Sequence, residues 1–119
     1  MPALDTTAYA PLILYKNEGD SGGYTLMLSD SEMDPTFDVF EDNGRLGNGY
    51  AWADVALQVM RTRDPALEGE IEMDPEAGTF VAYGTNLDAL QKLAALLHHA
   101  FHNHAVLADL VRSAPYEYD

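Results

Sequence analysis

The chain has 119 residues, and its 20 Asp and Glu against 6 Lys and Arg give a formal charge of −14 with histidine neutral. That balance argues against DNA, RNA or an anionic membrane as partner, because attraction to phosphates comes mainly from Lys and Arg displacing counterions; basic partners are the natural ones. The lack of cysteine excludes disulfides, zinc–thiolate sites and thiol chemistry, and suits a reducing compartment.

The first residues, Met1-Pro2-Ala3-Leu4-Asp5, lack the positive and apolar segments of a secretion signal. No apolar run approaches the roughly 18 residues of a membrane span, so the expected location is the cytoplasm. Leu12 to Tyr15 and Tyr24 to Leu28 are the first predicted strands, paired as a hairpin across Asn17-Glu18-Gly19-Asp20-Ser21-Gly22-Gly23. A third strand is predicted from Thr36 to Phe40, with Phe37 and Val39 on one face and Asp38 on the other, ended by Asp42-Asn43-Gly44.

Beyond the glycine-rich stretch Gly44 to Gly49, the spacing of Trp52, Val55, Ala56, Val59 and Met60 predicts a helix over Tyr50 to Arg63. Glu68 to Met73 and Thr79 to Tyr83 then read as a hairpin joined by Asp74-Pro75-Glu76-Ala77-Gly78. Thr85 is the predicted cap of the next helix, with Asp88 three residues on. Along that helix Leu87, Leu90, Ala94, Leu97 and Phe101 form a stripe that Leu93 and Ala100 widen. Asn103 opens a short last helix with Val106, Leu107, Leu110 and Val111 on one face, and the tail Tyr116 to Asp119 is expected to be loose.

Hairpins with helices between and after them imply an α+β domain: one antiparallel sheet with helices packed on one face. The expected organisation is a single domain over residues 1–119 with an ordered core at about 10–114, large enough to bury roughly 65% of its unfolded surface.

Two acidic regions are the leading candidate sites. In a strand, Glu68, Glu70 and Glu72 would share one face, continued by Asp74 and Glu76 into the turn. The row is either a solvated outer face or a docking surface whose self-repulsion a cationic partner relieves. The second region is Asp30, Glu32, Asp34, Asp38, Glu41 and Asp42. Asp30, Glu32, Asp34 and Glu41 occupy positions one, three, five and twelve of a calcium loop, but Pro35 stands where that loop needs glycine and the flanks read as strand.

His98, His99, His102 and His104 fall in one stretch, with His98 and His102 one helical turn apart. That spacing suits zinc, yet two ligands do not make a site, and histidine near a helix C-terminus also complements the dipole. Gly19-Asp20-Ser21-Gly22-Gly23 is similar to the surroundings of the chymotrypsin-type nucleophile, but every histidine follows it and the chain is too short for two barrels. Gly44-Arg45-Leu46-Gly47-Asn48-Gly49 lacks both the Walker lysine and the dinucleotide spacing, and reads as a turn. Trp52 is read as a core anchor and Tyr50 as a rim residue.

The segment Phe37-Asp38-Val39-Phe40-Glu41-Asp42-Asn43-Gly44, then Gly47-Asn48-Gly49-Tyr50-Ala51-Trp52, resembles the immunity protein 51 family of bacterial polymorphic toxin systems. Met73-Asp74-Pro75-Glu76-Ala77-Gly78-Thr79-Phe80-Val81-Ala82-Tyr83 and the leucine-rich helix after it extend the resemblance to about Val111. What this implies is a non-enzymatic cytoplasmic protein, encoded beside a toxin, that binds the toxin's effector domain and blocks it. It implies no cofactor and no catalytic residues. The acidic balance suits a basic effector such as a nuclease, since complementary charge steers encounter. The candidate contacts are Glu68, Glu70, Glu72, Asp74, Glu76, Asp38, Glu41, Asp42 and Tyr50. The rival reading is a small metal-binding protein or metal-dependent enzyme built on the histidine cluster.

Overall fold

A computed structural model describes residues 7–18 and 22–119. The chain is an α+β fold with one four-stranded antiparallel sheet in the order β1-β2-β4-β3. Strands β1 (Ile13–Lys16) and β2 (Tyr24–Ser29) form the expected first hairpin, with Leu14 opposite Leu26. The protease-like string in its connection falls largely outside the described residues, since Gly19 to Ser21 are not among them, and neither are the first six residues.

The predicted third strand is instead helical. Residues Asp34–Thr36 make a 3₁₀ turn that runs into helix α1 (Phe37–Glu41). Five residues are too few for periodicity to decide, because Phe37 and Phe40 share a helix face at i and i+3 as readily as Phe37 and Val39 share a strand face. Thr36 settles the local geometry: its hydroxyl donates to the Met33 carbonyl at 2.7 Å, inside a site where both residues are buried.

Helix α2 (Gly49–Arg63) follows, its first turn capped by Asn48, whose side chain accepts the Ala51 N–H. It packs against a neighbouring strand and two other helices, which explains apolar residues on nearly all of its sides. The second hairpin is real but shorter than its sequence pattern suggests. Strand β3 spans only Glu72–Met73, pairing with β4 (Thr79–Gly84). Upstream, Pro65–Gly69 is a 3₁₀ helix, opened by a proline with fixed φ and pinned by buried Leu67. The acidic row therefore breaks: Glu68 lies on that helical turn, Glu70 is in the right-handed region at φ −106°, and only Glu72 occupies the strand.

Helix α3 (Leu87–Phe101) buries the predicted stripe, with Leu90, Leu93, Ala94, Leu97 and Ala100 fully covered. Its cap is Asn86 and not Thr85: the Asn86 side chain accepts the Ala89 N–H at 3.1 Å, which places the first helical residue one position later. Accordingly Asn86→Ala is expected to lower stability by about 1 kcal/mol while Thr85→Ala stays within about 0.5 kcal/mol, as chemical denaturation can measure. Helix α4 (His104–Ser113) starts at Asn103 as predicted.

Helices α2 and α3 cover one face of the sheet, where Leu14, Leu26, Leu28, Phe80 and Ala82 are fully buried. The opposite face carries Ile13, Met27 and Val81 in one row and Tyr15, Thr25 and Tyr83 in the next. No helix in the described residues is long and apolar enough to cross a membrane.

Candidate partner-binding surface

Three backbone stitches bring the 74–78 turn, which ends the first acidic region, beside Asp30 at the start of the second. The turn after β3 closes with Glu76 and Thr79 exchanging N–H···O bonds of 2.8 and 3.1 Å. The Asp30 N–H then donates to Gly78, and the Gly49 N–H to Ala77. Gly49 is required here by space: a Cβ would stand 2.0 Å from the Glu76 carbonyl oxygen and 2.4 Å from that of Thr79. The Gly49-Tyr50-x-Trp52 and Asp74-Pro75-Glu76 elements thus meet as packing determinants, and Trp52 lies fully buried against Phe40 and Phe101. Tyr50 sits half-buried in the first turn of α2.

Beside this junction is a cleft of about 370 Å³. Met33, Phe37 and Leu46 supply its apolar walls, and Asp30 and Glu41 its charge. Phe37 and Glu41 share one stripe of α1; Asp38 and Asp42 form the adjacent stripe, and all four are exposed. Leu46 is 68% exposed, the most of any large apolar side chain described. It projects because its neighbours are held inward. Arg45 is buried, donating to the Ala114 and Pro115 carbonyls, and Gly47 packs on Phe37 and Phe40 with no room for a Cβ.

The candidate acids divide by what they already touch. Arg61 clamps Glu68 with two bonds of 2.9 Å, and this hydrogen bonding holds the Glu68 carboxyl below the usual carboxylate range. Glu72 accepts the Tyr83 hydroxyl, an interaction that pushes the phenol above its ordinary value, and Glu70 accepts from Asn86. By contrast, the Asp30, Asp38, Glu41, Asp42, Asp74 and Glu76 carboxylates have no hydrogen-bond or ion-pair partner among the described residues. The proposed surface therefore has a flank at Glu68 to Glu72 whose carboxylates are already hydrogen-bonded, Glu68 to a cation and Glu70 and Glu72 to neutral donors, and a centre at α1 and the 74–78 turn whose carboxylates are not.

Two of the four histidines have a structural task. His98 Nδ1 and His102 Nε2 both lie within hydrogen-bond reach of the Ala10 carbonyl, at 3.1 and 2.9 Å, and tie the segment before β1 to α3. Among the described residues no group of three or more His, Asp or Glu side chains is placed to hold a metal ion. The would-be calcium loop is two successive 3₁₀ turns, Asp30–Glu32 and Asp34–Thr36.

A family model described as immunity protein 51 matches residues 12–115, most of the chain. The chain belongs to the immunity protein 51 family. Family membership brings an immunity function and, with it, a toxin as protein partner. No curated protein and no solved structure matches the chain. The family match takes in both hairpins, α1, the cleft walls and the leucine-rich helix, so Asp30, Asp38, Glu41, Asp42, Asp74 and Glu76 lie inside it.

Sequence reasoning found Glu41 but missed Met33, Phe37 and Leu46 as cleft walls, having placed Phe37 on a strand. The available signal was Leu46, a lone large apolar residue in a loop of glycines and polar side chains. It also missed the fully buried Asp54, which accepts the backbone N–H groups of Glu117, Tyr118 and Asp119 and fixes the tail expected to be loose.

Proposed function

We propose that this protein neutralises the effector domain of a cognate bacterial toxin by stoichiometric masking, without catalysis, in the cytoplasm. The effector is a basic domain, such as a nuclease, whose cationic cleft accepts carboxylates in place of phosphates. The observation that carries this reading beyond family membership is the set of carboxylates at α1 and around the 74–78 turn, Asp30, Asp38, Glu41, Asp42, Asp74 and Glu76, that have no hydrogen-bond or ion-pair partner among the described residues. Together with Tyr50, they form the proposed contact surface. Glu68, Glu70 and Glu72 contribute long-range field from its flank.

Co-expression with the toxin domain encoded beside this chain tests the proposal. The expected result is growth rescue and a one-to-one complex. Reversing Asp38, Glu41 and Asp42 to lysine is expected to slow association about tenfold or more at low salt and flatten its salt dependence. An active toxin that neither binds the soluble wild-type chain nor is silenced by it would refute the assignment of that toxin as partner.

A further inference from the structure

We infer that the cleft between α1 and the Leu46 loop is an anchor site for one arginine side chain of the partner. The inference rests on the toxin-binding reading above and specifies how that surface grips.

The cleft is amphipathic in the order an arginine requires. Phe37 and Leu46 offer apolar surface to the three methylenes over the buried Met33, and Asp30 and Glu41 offer carboxylates to the guanidinium. Arginine presents a planar fork of donors and is weakly hydrated, so it enters a half-apolar interface at a lower desolvation cost than lysine. Neither carboxylate is engaged elsewhere among the described residues, so both are available to the incoming head. The charge complementarity is local as well as global: with Arg45 turned into the core, no cationic side chain among the described residues lines the cleft.

The walls are also fixed in advance. Arg45 N–H donates to Phe40, Asn48 caps α2, and Gly49 N–H donates to Ala77, so the loop carrying Leu46 is held on both sides. An exposed leucine on a pinned loop loses little conformational freedom on binding, which is the property of an interface anchor.

The test uses the catalytically inactive toxin domain from the adjacent gene and measures association and dissociation rates for three variants. Leu46→Ser and the pair Asp30→Asn/Glu41→Gln are each expected to weaken binding at least tenfold, chiefly by faster dissociation. Glu68→Gln/Glu72→Gln, which removes the same charge from the flank, is expected to change binding less than threefold and mainly through association. Because Leu46 and both carboxylates are exposed, these changes leave the core intact, and circular dichroism checks that they do. Loss with Leu46→Ser but none with the carboxamide pair would mean an apolar occupant and overturn the proposal. Equal loss from the cleft and flank pairs would mean general charge steering and overturn it too. A wild-type chain that fails to bind this toxin would instead overturn the underlying partner assignment, and the anchor with it.

Discussion

Replacing Asp54 by alanine is expected to destabilise the fold by about 3–5 kcal/mol, the range found when one partner of a buried ion pair is removed. Asp54 and Arg45 are both inaccessible to solvent at their side chains and stand 3.4 Å apart. Without the carboxylate, Arg45 keeps its charge in a buried position with only the Ala114 and Pro115 carbonyls and the face of Tyr116, 3.7 Å from the guanidinium carbon, to stabilise it. Three tail N–H groups lose their acceptor at the same time. Urea unfolding at neutral pH reads the loss. The double variant Arg45→Met/Asp54→Leu should be less destabilised than Asp54→Ala alone, because a buried pair exchanged for apolar side chains leaves no stranded charge. A single variant within about 0.5 kcal/mol of wild type would show that the pair is not an important determinant of stability.

Trp52→Ala is the second large expected effect, at about 3–5 kcal/mol. The indole is fully buried, with ring centroids 5.4 Å from Phe40 and 6.0 Å from Phe101, so its removal opens a cavity where α1, α2 and α3 meet. Thermal unfolding followed by circular dichroism should show a fall of well over 10 °C. Trp52→Phe should cost much less. The indole Nε1 has no hydrogen-bond partner among the described residues, so phenylalanine forfeits volume but no polar contact. Equal losses for the two variants would overturn the cavity account, in which the cost grows with the volume removed.

Legibility from sequence followed the physics of each segment. Where long periodic patterns bury a wide face, as in α2, α3 and α4, the elements and their buried residues were readable, because 3.6-residue periodicity over ten or more residues has few alternatives. The hairpin of β1 and β2 was readable from its turn chemistry. The two misread strands share one cause. Thr36 to Phe40 follows Pro35, and the misread Glu68 to Ile71 runs out of the turn that Pro65 opens; a proline's fixed φ starts a helical turn as easily as it enters a strand. Alternation of Glu68, Glu70 and Glu72 then imitated a strand face that the tertiary contacts of Leu67 and Arg61 override.

At the candidate site the charges were legible and their grouping was not. Composition identifies acids, but only the stitches from Asp30 to Gly78 and from Gly49 to Ala77 place α1 beside the second turn. The pairing of Arg45 with Asp54 was hidden for a similar reason. Asp54 lies between apolar neighbours in Ala51-Trp52-Ala53-Asp54-Val55, where a helix facing water on one side would carry a surface charge. Only a helix enclosed by other elements turns that aspartate into an interior group.

The tail's attachment carries a consequence for how the protein can vary. Asp54 holds residues 117–119 entirely through main-chain N–H groups, and Arg45 holds residues 114 and 115 through main-chain carbonyls. Such an anchor is indifferent to side-chain identity. Position 119 is thus open to drift in charge, size and polarity without releasing the strap, and the chemistry excluded from 117, 118 and 119 is that of proline, which has no N–H to give. The main-chain part of that grip is written in two distant residues, 45 and 54, while the segment's own side chains add Tyr116 beneath Arg45 and Glu117 on Arg61.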